Sequence, residues 1–375
     1  MRRAVRSVGL TTVCVLLVGC GGGREEARTA TTAHDEKVLN VYNWADYVGE
    51  RTIKDFETRT GIKVVYDVYD SNEVLQTTLL TGGSGYDVVV PSGSPTNHLI
   101  QAGALRTLDK SKLKNLANMD PRILRIVSAF DPGNAHALPY LWGTTGIGYN
   151  PDRVEKALGT RTLDSLAAVF EPATASKLAK CGITMLDSPT DMFAVAFIYL
   201  GLDPNSQRRE DWAAAEAVLK KAAPYVRYYH SSQYVSDLAS GEVCVSVGWS
   251  GAIQQARSRG AQAETPVKVD YVIPKEGATI WFDMMASPAD APHPENAYAF
   301  LDYLMEPKVI GDISNTVGEA NGNAASLPYV SAALKNVPSI YPTSEVFKRL
   351  HADKPWPPEM TREVARAWTR IKTGE

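Results

Sequence analysis

The chain has 375 residues, 39 Lys+Arg against 42 Asp+Glu, and 44% hydrophobic residues. That length is enough for two packed units, because single cores stop growing near ~250–300 residues. A formal net charge of −3 argues against a nucleic-acid binder, which carries a basic surplus, and a charged fraction of 22% excludes a multi-span membrane protein.

The elements follow in chain order. Arg2, Arg3 and Arg6 form a positive start, residues 8–18 an apolar run, and small residues follow. The run is shorter than the ~20 residues a membrane span needs, so residues 1–19 read as an export signal. It ends Leu17-Val18-Gly19-Cys20, which resembles the lipobox of bacterial lipoproteins, with cleavage before Cys20 and acylation of its thiol. An ordinary secretory signal that happens to contain a Cys is the alternative. Residues 20–36, rich in Gly, Thr and charge, read as a flexible tether between lipid and folded body.

The body alternates. Residues 38–42 predict a strand, 51–60 a helix stopped by Gly61, and 63–69 a β-branched, aromatic strand. Residues 73–80 predict a helix ended by Gly82 and Gly83, and YDVVV at 86–90 a buried strand. Strand and helix in alternation imply an α/β sheet with parallel neighbours. Further strands are expected at 144–149, 183–186, 243–249, 267–273 and 280–286. Further helices are expected at 191–200, 211–223, 252–258, 294–305, 308–317 and 361–373. Four cysteines are present. With Cys14 in the signal and Cys20 as the lipid site, Cys181 and Cys244 remain as an even pair. In an oxidising compartment they form a bridge, the alternative being two buried thiols. The six His residues are scattered without paired ligand spacing, so no metal site is expected.

Ligands on open α/β sheets bind beyond the carboxyl ends of strands. Those ends carry Trp44, Asp46 and Tyr47, then Ser92, then Trp249, then Trp281 and Asp283. Aromatic faces flanked by carboxylates fit an elongated cation with an alkyl stem. Each ring face contributes roughly 0.5–2 kcal/mol and each carboxylate–ammonium hydrogen bond roughly 1.5–3 kcal/mol. No nucleophile elbow, His-Glu-x-x-His or P-loop is present, so an exported enzyme is the weaker reading, and neither a catalytic residue nor a cofactor is expected.

From Val38 onward the sequence resembles the putrescine- and spermidine-binding proteins of polyamine ABC importers, most closely the putrescine-binding type. The matching stretches are YNWADY at 42–47, ETRTGIKVVYDVYDSNEVL at 57–75, YDVVVPSGS at 86–94, LPYLWGTTGIGYN at 138–150, HSSQYVSDLASGEVCVSVGWSG at 230–251 and IPKEGA at 273–278. The resemblance implies a type II periplasmic binding-protein fold, two α/β lobes with a ligand cleft between them. It also implies a Cys181–Cys244 bridge in the second lobe. Lobe 1 is expected over 37–143 with about 267–318, and lobe 2 over 144–266 with about 319–375.

The family's cleft residues fall here on Trp44, Asp46, Tyr47, Ser92, Asp191, Trp249, Trp281 and Asp283. Asp46 and Asp283 are expected to take amines on opposite sides. Asp191 stands where the putrescine type has Glu, and Trp281 where it has Phe and spermidine binders have Trp. Ala45 replaces a Ser, Ala252 an amine-binding Asp, and Glu319 a Tyr; Asp353 falls near an apolar position. With one acid lost and Glu319 and Asp353 gained, a triamine such as spermidine, or agmatine, is expected to bind tighter than putrescine. A rim role for Glu319 and Asp353, and hence a putrescine-specific binder, is the alternative. The resemblance further implies a periplasmic or extracytoplasmic monomer that delivers ligand to permease subunits and touches the membrane through its lipid alone. A polyamine sensor on the same fold is the other reading.

Overall fold

The structure, a computed structural model, describes residues 37–374 except 70 and 355. The export signal, the Cys20 lipid site and the tether lie outside the described residues.

Eleven strands form one mixed sheet. They are β1 (Val38–Trp44), β2 (Lys63–Tyr69), β3 (Val88–Val89), β4 (Ala137–Tyr149), β5 (Ile183–Met185), β6 (Val226–Tyr229), β7 (Val245–Trp249), β8 (Asp270–Val272), β9 (Ala278–Ala286), β10 (Ala320–Asn321) and β11 (Leu350–Ala352). The order is β2-β1-β3-β9-β4-β7-β5-β6, with β8 and β10 on β4 and β11 on β9. β1 pairs in parallel with both β2 and β3, as strand–helix alternation requires. The antiparallel pairs β4–β9 and β4–β7 join this half to the parallel set β5, β6 and β7.

β4 is the spine. Its thirteen residues are buried throughout, and they pair first with β9 and then with β7. The sequence predicts only the second half, 144–149. The first half, Ala137 to Gly143, contains Pro139, which removes a ladder donor; the register shifts between Pro139 and Trp142 where β4 meets β9, the irregularity that lets proline sit in a sheet.

The core divides in two along this spine. One side packs Leu39, Phe56, Val88, Leu138, Phe300 and Ile313, continuing through Leu75, Phe130, Phe282 and Leu334. The other packs Ile147, Phe193, Leu219, Tyr234, Val245 and Ile253. Cys181 and Cys244 are bonded in the second unit, with Cα atoms 5.5 Å apart. The two cores draw the lobe boundaries differently from the expectation. Val269 packs in the second unit, and the segment 319–375 is split. Ala320, Val330, Leu334 and Ile340 join the first core, whereas Val364, Ala367, Trp368 and Ile371 of helix Pro358–Thr373 join the second. The chain therefore crosses along β4, again between β8 and β9, and once more after β11. Among the described residues no helix is long and apolar enough to cross a membrane.

Candidate functional site

Residues from both units meet where β4 and β9 cross. On β9 the two-residue period sends Phe282 and Met284 into a core and Trp281 and Asp283 to the other face. Asp283 is held by an antiparallel bridge to Ser92, and Ser92 stands at the N-cap of helix Gly93–Gln101. The Ser92 hydroxyl donates to Asp283 Oδ1 at 2.7 Å, and Asn72 Nδ2 donates to Ser92 Oγ at 3.1 Å.

Tyr47 arrives from the turn after β1. Asp46 takes a left-handed backbone conformation, φ 54°, which Asp tolerates better than most residues. That turn leaves Asp46 exposed and Tyr47 buried. Tyr47 is fixed from behind, because the Tyr140 hydroxyl donates to its carbonyl at 2.7 Å. Its own hydroxyl lies 2.6 Å from Asp283 Oδ2 and 2.9 Å from Glu319 Oε2. Glu319 follows helix Pro307–Val317, closed by Gly318 at φ 85°, and precedes β10, whose Ala320 pairs with Trp142. It is 5% exposed, so it is no rim residue. Its other oxygen reaches the second unit. A Cβ on Gly251 would stand 1.7 Å from Glu319 Oε1, so glycine alone permits the approach. Gly251 lies in the first turn of helix Ser250–Gln262, and its backbone faces the Glu319 carboxyl at close range.

Burial lifts the Asp283 carboxyl to about 6, against the pull of hydrogen bonds from Tyr47 and Ser92. Burial, and then the neighbouring Asp283 charge, push Glu319 well above the ordinary carboxylate range.

The second unit supplies another acid. Helix Pro189–Tyr199 begins two residues earlier than the sequence predicts, with Ser188 as N-cap and Pro189 in the first turn. Asp191 therefore stands near its N-terminus, where a carboxylate is favoured. It accepts from Ser188 Oγ at 2.6 Å, Thr145 Oγ1 at 2.8 Å and Trp249 Nε1 at 3.3 Å. Burial nevertheless raises its pKa. Asp353, just past β11, accepts from Ser94 Oγ. Its carboxyl is pushed up to about 6, first by burial and also by the Asp191 charge.

The aromatic residues split by role. The Trp281 ring lies over Gly143, where a Cβ would come 2.4 Å from Cζ2, and its Nε1 is buried without a partner. Trp249 caps helix Ser250–Gln262 and reaches Asp191. Trp44 is tied into the first unit: Nε1 donates to the Val90 carbonyl at 3.0 Å, and its ring meets Tyr69 at 4.6 Å.

The structure thus brings Tyr47, Ser92, Asp283 and Glu319 into one cluster and Asp191 and Trp249 into another, with Asp353 bonded to Ser94 and within range of the Asp191 charge. Asp46 joins neither; its charge acts on Tyr66. The left-handed turn leaves Asp46, expected to take an amine opposite Asp283, exposed in the first unit, and the acid that the second unit offers is Asp191. Sequence reasoning missed Thr145, Ser188, Ser94 and Gly251. Ser188-Pro189 is an N-cap signal that was open to reading; Thr145 and Ser94 carry no local signal. Among the described residues no three His, Cys, Asp or Glu side chains could hold a metal ion.

Comparison with known proteins follows the same lines. Residues 51–340 match the family described as bacterial extracellular solute-binding protein. The chain is 48% identical, over 99% of its length and 100% of the relative's, to the putrescine-binding periplasmic protein SpuD of Pseudomonas aeruginosa. It is 46% identical to the putrescine-binding periplasmic protein PotF of Escherichia coli, over 92% of this chain and 94% of that one. Among solved structures, the spermidine/putrescine ABC transporter substrate-binding protein PotD of Streptococcus pneumoniae superposes with a TM-score of 0.78 at 26% identity, covering 90% of this chain and 98% of that one.

Proposed function

The chain belongs to the bacterial extracellular solute-binding protein family, and we propose that it captures a diamine of the putrescine type outside the cytoplasm and delivers it to the permease of an ABC importer. One observation carries this reading: each packing unit presents a carboxylate whose pKa desolvation raises, the buried Asp283 from the first and the half-buried Asp191 from the second. Each is oriented by hydroxyl donors; Trp249 donates to Asp191, and Trp281 stands two residues from Asp283 on β9. An ammonium at each acid supplies the charge that burial withholds, and ring faces receive the alkyl stem. Ser92, Tyr47 and Glu319 complete the first anchor and Asp353 the second, with Trp44 as a supporting wall.

The expected preference for a triamine rested on the acid lost at Ala252 and on Glu319 and Asp353 as added anionic charges. The hydrogen bond of Glu319 with Tyr47 and its raised pKa weaken that support, and the relatives that are 48% and 46% identical are named as putrescine-binding. Agmatine remains a second reading on a separate observation. Asp191 and Asp353 stand close enough for the charge on one to raise the other, and a planar guanidinium can donate to two carboxylates at once.

We further propose that Cys20 carries lipid and that the protein acts as a monomer. The lobes comprise about 37–143 with 278–352, and about 144–272 with 356–374. The test is titration calorimetry against putrescine, cadaverine, agmatine, spermidine and spermine, with a neutral sugar as control. Putrescine or agmatine should bind tightest. Binding of none of the amines would refute the reading.

A further inference from the structure

The first cluster holds more acceptor oxygens than protons to serve them. The Tyr47 hydroxyl has one proton, yet its oxygen lies 2.6 Å from Asp283 Oδ2 and 2.9 Å from Glu319 Oε2. It can donate to one of them. Were both carboxyls ionised, a phenol lone pair would face an oxyanion at 2.9 Å in a buried place, where an unmade hydrogen bond costs about 1–3 kcal/mol and more for a charge. The arrangement is satisfied when one carboxyl keeps its proton and donates to the phenol oxygen. Asp283 is the better anion, with two hydroxyl donors, Ser92 at 2.7 Å and Tyr47 at 2.6 Å. Glu319 is left to carry the proton.

The groups facing Glu319 agree. They are Tyr47 from the turn after β1, Asp283 from β9 and the Gly251 N–H of helix Ser250–Gln262. The phenols of Tyr140 on β4, Tyr234 on helix Tyr234–Ser240 and Tyr271 on β8 also feel its charge. The Gly251 amide and a Tyr47 hydrogen bond favour the ionised form, but burial and the Asp283 charge outweigh them. An arriving ammonium reverses the balance, since an opposite charge within ~4–6 Å favours the carboxylate.

We propose that Glu319 is a protonated latch between the two lobes, neutral in the ligand-free cleft, and that it surrenders its proton when a cationic ligand docks at Asp283, so that capture is coupled to proton release. The Glu319 O–H bond breaks, the proton passes to solvent, and the carboxylate accepts from the ligand amine while keeping Gly251 across the cleft. This deepens the diamine reading and rests on it.

Linkage sets the sign. A complex that binds fewer protons than its free components tightens as pH rises, by up to about tenfold in Kd per pH unit per proton. The window runs upward from the ordinary carboxylate range near 4.5, because Glu319 is raised above it. Asp283 and Asp353, at about 6, and Asp191, also raised, titrate in the same range, so the part of the release that Glu319→Gln abolishes reports Glu319.

Calorimetry with putrescine at about pH 7, in phosphate and in Tris, yields the number of protons released from the difference in apparent enthalpy. The part that Glu319→Gln abolishes should approach one, and Kd should fall several-fold between about pH 6 and pH 7. A second measurement needs no ligand. The infrared carbonyl band of a protonated carboxylic acid should be present at about pH 7 in the wild type and absent in Glu319→Gln. Putrescine binding without proton release, or an acid band that survives in Glu319→Gln, would overturn the inference while leaving the diamine reading intact. Failure of every polyamine to bind would overturn both.

Discussion

Asp283→Asn should destroy ligand binding and stabilise the ligand-free protein, and the two effects share one cause. Burial raises the Asp283 carboxyl from 3.8 to about 6. At ~1.4 kcal/mol per tenfold change in proton affinity, holding it ionised at neutral pH costs the fold about 3 kcal/mol. For an acid whose pKa is raised by folding, the penalty is absent below the unfolded value near 3.8. It grows as pH rises toward 6 and is constant above that. Asparagine is uncharged at every pH and fits the same partners. Its Oδ1 accepts from Ser92, its Nδ2 donates to the Tyr47 oxygen, and the Tyr47 proton is freed for Glu319. In urea titrations without ligand, Asp283→Asn should therefore gain about 2–3 kcal/mol at pH 7.5 and nothing at about pH 4. Calorimetry with putrescine should register a loss of at least ~1.5–3 kcal/mol, the scale of a charge-assisted hydrogen bond. A variant less stable than wild type at pH 7.5, or equally stabilised at both pH values, would refute the view that this acid is held under strain.

Other expectations follow from single contacts. Gly251→Ala puts a methyl group into Glu319 Oε1 and should weaken putrescine binding by about 1–3 kcal/mol, the usual cost of overpacking, with Glu319→Ala in the same chain restoring part of it; unchanged affinity in Gly251→Ala would mean that the lobes close without that contact. Replacing Cys181 by Ala should lower unfolding free energy by roughly 2–5 kcal/mol, measured by denaturant titration against the oxidised wild type. Cys20→Ala should move the protein from the membrane to the soluble fraction or leave it unprocessed, and mass spectrometry of the mature N-terminus checks which; an unmodified N-terminus elsewhere in the wild type would refute lipidation.

Legibility in the sequence tracked how local each signal was. β2 falls where its β-branched and aromatic run predicts, and Gly61 ends the helix before it at φ 69°. Gly93–Gln101 was missed because Pro91-Ser92-Gly93-Ser94 reads as the tail of a strand; the run is also the N-cap of the helix. Helix Pro151–Leu158 was missed although its signals are present: Asn150 caps it by accepting from Arg153 N, Pro151 opens it and Gly159 closes it at φ 79°. β10 and β11, of two and three residues, exist through pairing with β4 and β9, which no local pattern encodes. In the site, Trp281 and Asp283 were legible from β9 alternation, and Ser92 from the end of β3. Asp46 stands in the left-handed turn after β1, whose conformation no strand pattern encodes. Gly251 was passed over because its meaning lies in a carboxyl that approaches from 68 positions along the chain.

The positions where this chain departs from its family's pattern therefore bear on how the cleft shuts rather than on how many charges it holds. A carboxylate added to a buried site as an anion would repel Asp283 and hold the lobes apart, since an unpaired buried charge is expensive. Carried as a neutral acid, Glu319 bridges instead, to Tyr47 in the first unit and Gly251 in the second. The site thereby tolerates closure without ligand at a cost concentrated on Asp283 and Asp353, both lifted to about 6. A dication relieves both ends together, because an ammonium lowers the cost of each ionised acid at the moment the lobes meet. A monoamine relieves one end and leaves the other acid buried and unpaired. Selectivity for two cationic ends over one then follows from the cost of the unpaired carboxyl more than from any additional contact. It should be largest above about pH 6, where both acids are ionised, and should shrink below it, where protonation removes the penalty that the second ammonium was there to relieve. Competition of butylamine with putrescine across that range measures the difference, and a putrescine-to-butylamine affinity ratio that does not rise with pH would refute it.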